Sequence, residues 1–441
     1  MDIFKGTKVV LMNILIVSLL FLVSCKKGEL VNEITPPVVE EPIPTVKPAE
    51  PVPVPSNATV YDFGGASDNL TIDGSKLNLA KNSLIRIAAG TYKSINLKNI
   101  NGTVENPVFI KNNGQVIVTE SMVTENLQNV TISGDNVTDI TYGIKFENIS
   151  YRAISMYGKM NGVTLKSMSF KNIGNYTISG DVSNSNNSYN GTAETRTENF
   201  KILNCLFDAA GSIVFGGALD KDLGIDKGFF KNVEIANNIF QNSPNVGAVC
   251  SFNNVQDYNI HNNTINNINQ SNDNHNGVFS MQGNGTFHDN KLTNYQGNSI
   301  RMWVYSRGNS PVTCEIYNNV CYNTRKYSAF EIQGFDRNIY PGKSTYSNAK
   351  VYNNTAGSMN VSKSWEGQLL DLYNYGGTLE YYNNLGYNLF TANVITDMIN
   401  NMSTVKIINK ANNKYVSQQS DAVNDNTTFA SKYSGVGYTA R

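Results

Sequence analysis

The segment Val233-Glu234-Ile235-Ala236-Asn237-Asn238 introduces a pattern that recurs through the second half of the chain. Each copy is a short run of alternating apolar and polar residues that ends in Asn-Asn or Asp-Asn. The further copies are residues 258–263, 285–290, 314–319, 349–354 and 379–384. The second Asn residues therefore follow one another at steps of 25, 27, 29, 35 and 30 residues. A period of this length indicates a solenoid of stacked repeats.

The alternation within each copy has a period of two residues, which predicts β-strands and not a helix. Stacking would bury apolar positions that a single repeat could not bury alone. The second Asn of each pair is expected at the bend between strands, because Asn tolerates the left-handed backbone region. Its amide both donates and accepts, so equivalent Asn side chains are expected to hydrogen-bond along the stack.

This pattern resembles the asparagine ladder of right-handed parallel β-helix proteins of the pectate-lyase-like superfamily. The resemblance covers residues 61–415 and implies an all-β fold with one parallel β-helix domain, at residues 58–416. Residues 85–115 also resemble the opening coils of exported β-helix proteins, several of which are polysaccharide lyases. The motifs there are Ala89-Gly90-Thr91-Tyr92 and Gly102-Thr103-Val104-Glu105-Asn106-Pro107.

The first 57 residues predict export and anchoring. Residues 1–25 combine Lys5 and Lys8 with an apolar core at residues 9–23, too short for a comfortable membrane span. They end in Leu22-Val23-Ser24-Cys25, which resembles the lipobox of bacterial lipoproteins and implies lipidation of Cys25. Residues 26–57 are a Pro-rich tether that favours extended polyproline II structure. We therefore expect a lipid-anchored protein of the cell envelope, at the outer membrane or cell surface.

Composition narrows the function further. The 441 residues carry a net charge of zero, which gives no support for nucleic-acid binding, and we expect a monomer that meets the membrane only through its lipid. Export permits disulfides, and pairing of Cys314 with Cys321 is left open. Residues 181–198 and 334–347 are predicted to be inserted loops. Residues 417–441 lose the period and are expected to cap the open end.

Residues at equal phase of successive repeats should lie one above another, about 4.8 Å apart. On the strand that follows the ladder and the next bend, the outward phases form two columns. Column 1 is Ser280, Arg301, Glu331 and Asp371, and column 2 is Gln282, Trp303, Gln333 and Tyr373. The resemblance implies that this strand belongs to the sheet whose outer groove holds substrate. The catalytic motifs of the superfamily match nothing here.

These residue types suit lyase cleavage of a uronate-containing polysaccharide by β-elimination. Arg301 is a candidate base or carboxylate clamp, and His275, in the polar loop 271–277, is a candidate general base. Glu331 and Asp371 are candidate ligands of Ca²⁺ that bridges to the uronate. The candidate substrate-binding residues are Trp303, Tyr373, Gln333, Gln282 and Lys326.

Two other functions fit the same columns. In a glycoside hydrolase, Glu331 and Asp371 would be the acid and base. In a non-catalytic surface glycan binder or adhesin-like lipoprotein, the aromatic residues would hold sugar while Arg301 and Glu331 form a cross-coil salt bridge. Arg307 and Arg325 flank the column strands, and Asp336, Arg337 and Lys343 lie in the second inserted loop; all could attract an acidic glycan.

A further column precedes the ladder and is expected to be a stack of structural aromatic side chains. Its members are Ala236, His261, His288, Tyr317, Tyr352 and Tyr382. The alternative interpretation makes His261 and His288 a metal-binding or proton-transfer pair.

Overall fold

The computed structural model describes most of the chain after the predicted tether. The described residues are 53–65, 68–79, 82–180, 188–220, 225–307, 310–334, 347–391 and 398–440. The predicted signal peptide, Cys25 and residues 26–52 lie outside them, as do Asp336, Arg337 and Lys343. Within the described part of the chain, no helix is long and apolar enough to cross a membrane.

The described chain consists of short strands joined by tight bends, with two 3₁₀ turns and one short helix. In the first half the strands are β1 (Val60–Phe63), β2 (Asn69–Asp73), β3 (Leu84–Lys98), β4 (Val108–Glu125), β5 (Val130–Ser133), β6 (Ile144–Ile149), β7 (Arg152–Tyr157), β8 (Thr164–Lys166), β9 (Met168–Ile173), β10 (Tyr176–Gly180), β11 (Thr197–Glu198), β12 (Lys201–Leu203), β13 (Leu206–Asp208), β14 (Ser212–Phe215), β15 (Ala218–Asp220), β16 (Ile225–Lys227), β17 (Phe230–Lys231), β18 (Glu234–Ala236) and β19 (Ile239–Ser243). In the second half they are β20 (Cys250–Phe252), β21 (Val255–Gln256), β22 (Tyr258–His261), β23 (Thr264–Ile268), β24 (Gly277–Gln282), β25 (Gly285–His288), β26 (Lys291–Tyr295), β27 (Asn298–Val304), β28 (Val312–Tyr317), β29 (Val320–Thr324), β30 (Phe330–Gly334), β31 (Ser347–Tyr352), β32 (Thr355–Met359), β33 (Leu370–Tyr373), β34 (Thr378–Tyr382), β35 (Leu385–Leu389), β36 (Ile399–Met402), β37 (Lys406–Ala411) and β38 (Lys414–Val416). The 3₁₀ turns are Gly74–Lys76 and Ala193–Thr195, and the helix is α1 (Gln419–Ala422).

Strands one turn of the chain apart pair in parallel, and the pairings form three stacks. Sheet A holds the strands just before the ladder, which are β12, β18, β22, β25, β28, β31, β34 and β37. Sheet B follows the ladder and holds β13, β19, β23, β26, β29, β32, β35 and β38. Sheet C follows sheet B and holds β14, β20, β24, β27, β30, β33 and β36, with β10, β7 and β2 before them. The fold is a right-handed parallel β-helix, as predicted.

The asparagine ladder is formed as expected. Asn263 Nδ2 donates to Asn290 Oδ1 at 2.9 Å, Asn290 to Asn319 at 3.1 Å, and Asn319 to Asn354 at 2.9 Å. The same side chains also bond backbone groups of neighbouring coils, and Asn290 and Asn319 are fully buried. Because these buried amides find partners, they tie coils together without an unsatisfied polar group.

The left-handed bend is made by the first residue of each pair, so its assignment to the second Asn was wrong. Asn262, Asp289 and Asn318 have φ of 54°, 53° and 53°, and the second Asn residues are not among the positive-φ positions. The reason is a division of roles: one residue turns the chain, which leaves the next amide aimed into the stack. A further series of left-handed Asn residues, including Asn242 and Asn267, makes the bend after sheet B.

The core runs along the centre of the coil, with like residues stacked on like. Phe146, Phe170, Phe207 and Phe240 lie in register on sheet B strands with ring centroids 4.6–4.9 Å apart. The column before the ladder also stacks: His261 and His288 lie 4.9 Å apart, followed by Tyr317, Tyr352 and Tyr382. This confirms the predicted stack.

Irregular segments decorate the coils. β15 and β16 form an antiparallel hairpin, and β11, β17 and β21 form a short parallel sheet at the bend after sheet C. The C-terminal segment does not lie only across the open end, because it also packs along the side of earlier coils. There Thr439 bonds Asn318 at 2.8 Å, and Val423 packs with Leu385 and Tyr387. Apolar outward side chains such as Tyr387 give it this surface.

The four cysteines in the described chain are free and buried, so Cys314 and Cys321 are not paired. Cys321 lies beside the Ser299 hydroxyl at 3.0 Å. Burial raises the pKa of the Cys321 thiol to about 12, which keeps it protonated and unreactive.

Candidate functional site

The strand register confirms both predicted columns on sheet C. Ser280 pairs with Arg301, Arg301 with Glu331, and Glu331 with Asp371. Column 2 follows one phase later, as Gln282, Trp303, Gln333 and Tyr373. The columns arise because each coil returns to sheet C after a similar number of residues, which brings equal phases together.

The two carboxylates of column 1 are buried, although they occupy an outward phase. Glu331 is 0% exposed and Asp371 is 1% exposed, while the Arg301 side chain is 17% exposed. The expected position on an open outer wall is therefore wrong for the carboxylates. They are covered because bends between sheets B and C bring His275 and Ser328 against them.

Glu331 is the centre of a charged network. Its Oε1 accepts from Arg301 Nε at 2.7 Å, and its Oε2 lies 2.9 Å from His275 Nε2. Burial alone would raise the pKa of Glu331, but the hydrogen bond from His275 and the charge of Arg301 outweigh it and lower the pKa. Glu331 is thus ionised and holds a guanidinium and an imidazole together.

Asp371, one coil further on, has only neutral partners. Ser328, Gln368 and Asn400 donate to its oxygens, Asn400 at 3.1 Å. Burial raises the pKa of Asp371 to about 6, and the nearby charge of Glu331 acts in the same direction. The acid/base pair that glycoside hydrolysis needs is buried and occupied by protein donors, so this geometry does not favour the hydrolase hypothesis.

His275 is fixed from two sides. Its ring stacks on Tyr327 with centroids 4.1 Å apart, and Nε2 also lies 2.9 Å from Asn298 Oδ1. Asn298 Nδ2 is committed to Ser328, so its oxygen faces the imidazole. Arg301 Nη1 donates to the His275 carbonyl at 2.8 Å and locks the loop. The structure thus joins His275 to Arg301 and Glu331, as the sequence suggested.

Column 2 forms a half-buried wall beside this network. The Arg301 guanidinium lies 5.0 Å from the centre of the Trp303 ring, and Trp303 Nε1 donates to Gln333. Gln333 Nε2 bonds Glu331 Oε1 at 2.5 Å, so the two columns are connected. Burial raises the pKa of Tyr373, helped by the charges of Asp371 and Glu331. Gln282 is also half-buried on this wall.

The predicted cationic residues lie in different places. Lys326 and Arg325 both bond Asp273, at 2.9 and 2.7 Å, and so tie the loop of His275 to the loop of Tyr327. Arg307 lies apart from the network, where its Nη2 donates to Asp226 at 2.8 Å and its cation packs on Phe229. Lys326 and Arg325 thus border the site, whereas Arg307 is a structural cation.

The residues do not fit the predicted Ca²⁺ site. Calcium takes six to eight oxygen ligands, whereas the oxygens of Glu331 face Arg301 and His275, and those of Asp371 are filled by amide and hydroxyl donors. In the described residues there is no group of three or more His, Cys, Asp and Glu that could hold a metal ion. No step of the chemistry is therefore derived through calcium.

Sequence comparisons found no matching protein-family profile and no matching curated protein. Three solved structures are similar. A PL6 family polysaccharide lyase from Pseudopedobacter saltans shares 11% identity over 85% of this chain and 98% of its own, with a TM-score of 0.43. A variant of the PL6 family alginate lyase AlyGC shares 13% over 85% and 57%, with a TM-score of 0.39. Pectate lyase Pel9A shares 12% over 82% and 80%, with a TM-score of 0.27.

The structure adds residues that the repeat pattern did not single out. Asn298 and Ser328 position the imidazole and carboxylates, and Tyr327 forms the stacking surface of His275. Trp365 packs edge-on against Tyr327 at 5.7 Å and is 49% exposed. All four lie in or beside bends between sheets B and C. An isolated Trp in the polar stretch between β32 and β33 was the available signal.

Proposed function

We propose that this protein is a polysaccharide lyase that cleaves a uronate-containing glycan by β-elimination, with Arg301 and His275 as catalytic residues. The single observation that carries the proposal is that buried, ionised Glu331 holds both side chains at one point of sheet C. β-Elimination needs one group that neutralises the sugar carboxylate and another that removes the C5 proton. A guanidinium beside an imidazole provides this pair.

Arg301 binds the uronate carboxylate in this scheme. Its Nε is held by Glu331 and its Nη1 by the His275 carbonyl, and no partner of Nη2 occurs among the described residues. Arginine pairs favourably with carboxylates through parallel N–H groups. Neutralising the substrate carboxylate stabilises the negative charge that develops when the C5 proton leaves.

His275 removes that proton. Ionised Glu331 can only accept, and Asn298 offers its oxygen, so the neutral imidazole carries its hydrogen on Nε2. The lone pair is then on Nδ1, which takes the C5 proton. The electron pair of the C5–H bond forms the C4–C5 double bond, and the C4–O bond breaks.

The leaving oxygen takes a proton from the Tyr373 hydroxyl. Burial raises the pKa of Tyr373, so the phenol is protonated at neutral pH and available as a donor. Trp303 and exposed Trp365 supply ring surfaces on which sugars stack. The glycan thus lies over the Arg301 end of column 1.

The test is incubation with alginate and with polygalacturonate, while ultraviolet absorbance from the new C4–C5 double bond is followed. We expect product from the wild type and a loss of about 10²–10⁴-fold for His275→Ala, with Arg301→Ala equally inactive. His288→Gln, on sheet A, is the matched control and retains activity. New reducing ends without absorbance would establish hydrolysis, and retention of glycan without product would establish a binding protein.

We also propose that the protein is a lipoprotein of the cell envelope, anchored through Cys25. The supporting observation is the apolar run followed by Leu22-Val23-Ser24-Cys25 and a Pro-rich spacer. Metabolic labelling with a fatty acid should mark the wild type and not Cys25→Ser. Equal labelling of both would contradict the proposal.

A further inference from the structure

A cavity of about 430 Å³ lies at the bend that follows sheet C, several coils before Arg301. Met160 and Phe229 contribute buried apolar surface, at 1% and 3% exposure. The polar side chains that line it include Asn126, Gln128, Lys159, Asn161, Glu194 and Arg196. Small-molecule sites combine this size with an apolar lining and a few polar groups.

The polar side chains of the cavity differ in how far they are committed. Arg196 is paired with Glu198, and Asn161 accepts from the Glu198 backbone N–H at 2.8 Å. Lys159 is exposed, and no ion pair of its ammonium occurs within the described residues. Lys159 therefore provides a positive charge for an acidic ligand.

The cavity is aligned with the candidate site. Sheet C partners lead from Met156 through Gly180, Phe215, Phe252 and Met281 to Met302. These are five interstrand steps, or about 24 Å at 4.8 Å per step. Tyr157 and Trp303 each follow the ends of this series by one residue, so they occupy the same phase.

Exposed surface connects the two points. Tyr157 is 37% exposed and immediately precedes the cavity residues Gly158 and Lys159. At the same phase, Gly216 borders open space, because an added Cβ there would meet no atom within 4 Å. An extended glycan can thus run between the two aromatic side chains of this phase.

We propose that this cavity is a second glycan-binding subsite, which holds a uronate unit of the same polymer whose distant bond lies at Arg301. Lys159 pairs with the carboxylate of that unit and Tyr157 stacks on its ring. The inference rests on the proposed function for its choice of ligand. The second contact is intramolecular once the first has formed, so long oligosaccharides bind more tightly than short ones.

The test compares tri- and octasaccharides of alginate and of polygalacturonate, with His275→Ala as the parent protein to prevent turnover. We expect the Kd of the octasaccharide to be at least about tenfold lower than that of the trisaccharide. Adding Tyr157→Ala and Lys159→Ala should abolish this gain without changing trisaccharide binding. Lys171→Ala, an exposed lysine on sheet B, is the matched control.

The outcomes separate this inference from the proposed function. An unchanged length dependence in the Tyr157/Lys159 variant overturns the subsite, as does a parent without length dependence for either glycan. Loss of length dependence alongside a wild type that makes no unsaturated product upholds the subsite and overturns the lyase.

Discussion

Replacing Asp371 with Asn should stabilise the protein at neutral pH. Burial raises the pKa of Asp371 from its ordinary 3.8 to about 6, so ionising it in the folded state is unfavourable. At 1.36 kcal/mol per pKa unit, the difference corresponds to about 3 kcal/mol. Asn resembles the protonated acid: its oxygen can accept from Gln368 and Asn400, and its NH₂ can donate to the Ser328 hydroxyl.

The sign of this effect depends on pH. The folded state holds the Asp371 proton more tightly than the unfolded state, so its contribution is fully present below about pH 4. It is lost as pH rises to about 6 and stays lost above. The free energy of unfolding of Asp371→Asn minus that of the wild type should therefore rise from near zero to about 3 kcal/mol across this window.

Urea denaturation of both proteins at a series of pH values measures this difference directly. Asp139→Asn, at an exposed position, is the control for simple removal of a negative charge and should show no such pH window. A difference that does not change with pH, or an Asp371→Asn protein less stable than the wild type at pH 8, would refute the reasoning.

Three further predictions address the ladder, the metal and the sugar platform. Asn319→Ala should lower the free energy of unfolding by about 3–5 kcal/mol, because it leaves buried partners on two coils unsatisfied; an exposed Asn136→Ala change is the control in the same denaturation assay. Treatment with EDTA should leave lyase turnover unchanged, since donors fill the oxygens of Glu331 and Asp371; restoration of lost activity by Ca²⁺ would contradict this. Trp365→Ala should weaken binding of uronate oligosaccharides about threefold to tenfold in calorimetry, and unchanged affinity would remove Trp365 from the site.

The repeat pattern was sufficient to predict the fold and the alignment of sheet C. Both depend on one quantity, the number of residues per coil, which the Asn pairs mark directly. Arg301, Glu331 and Asp371 lie 30 and 40 residues apart, yet all three fall on neighbouring strands in register. The difference between those spacings is taken up by the inserted loop, so counting from each ladder Asn gave the correct neighbours.

Burial in the site could not be predicted from the same pattern. Phase tells which side of a strand a side chain occupies, and it does not tell what covers that side. His275 and Ser328 belong to bends whose sequences do not repeat, and those bends enclose Glu331 and Asp371. The same limit explains the C-terminal segment, because nothing periodic in it indicates which coils it contacts.

The arrangement along column 1 also indicates where an acidic polymer would lie. Arg301 precedes Glu331 by one strand, so its charge compensates Glu331, while Asp371, one strand later, has neutral partners and a raised pKa. The carboxylate side of the column is buried and offers a polyanion no favourable charge. On the other side of Arg301 the column continues through Ser280 and Ser251, both half-buried hydroxyl side chains. A glycan chain held at Arg301 therefore extends over these earlier coils, in the direction of Lys159.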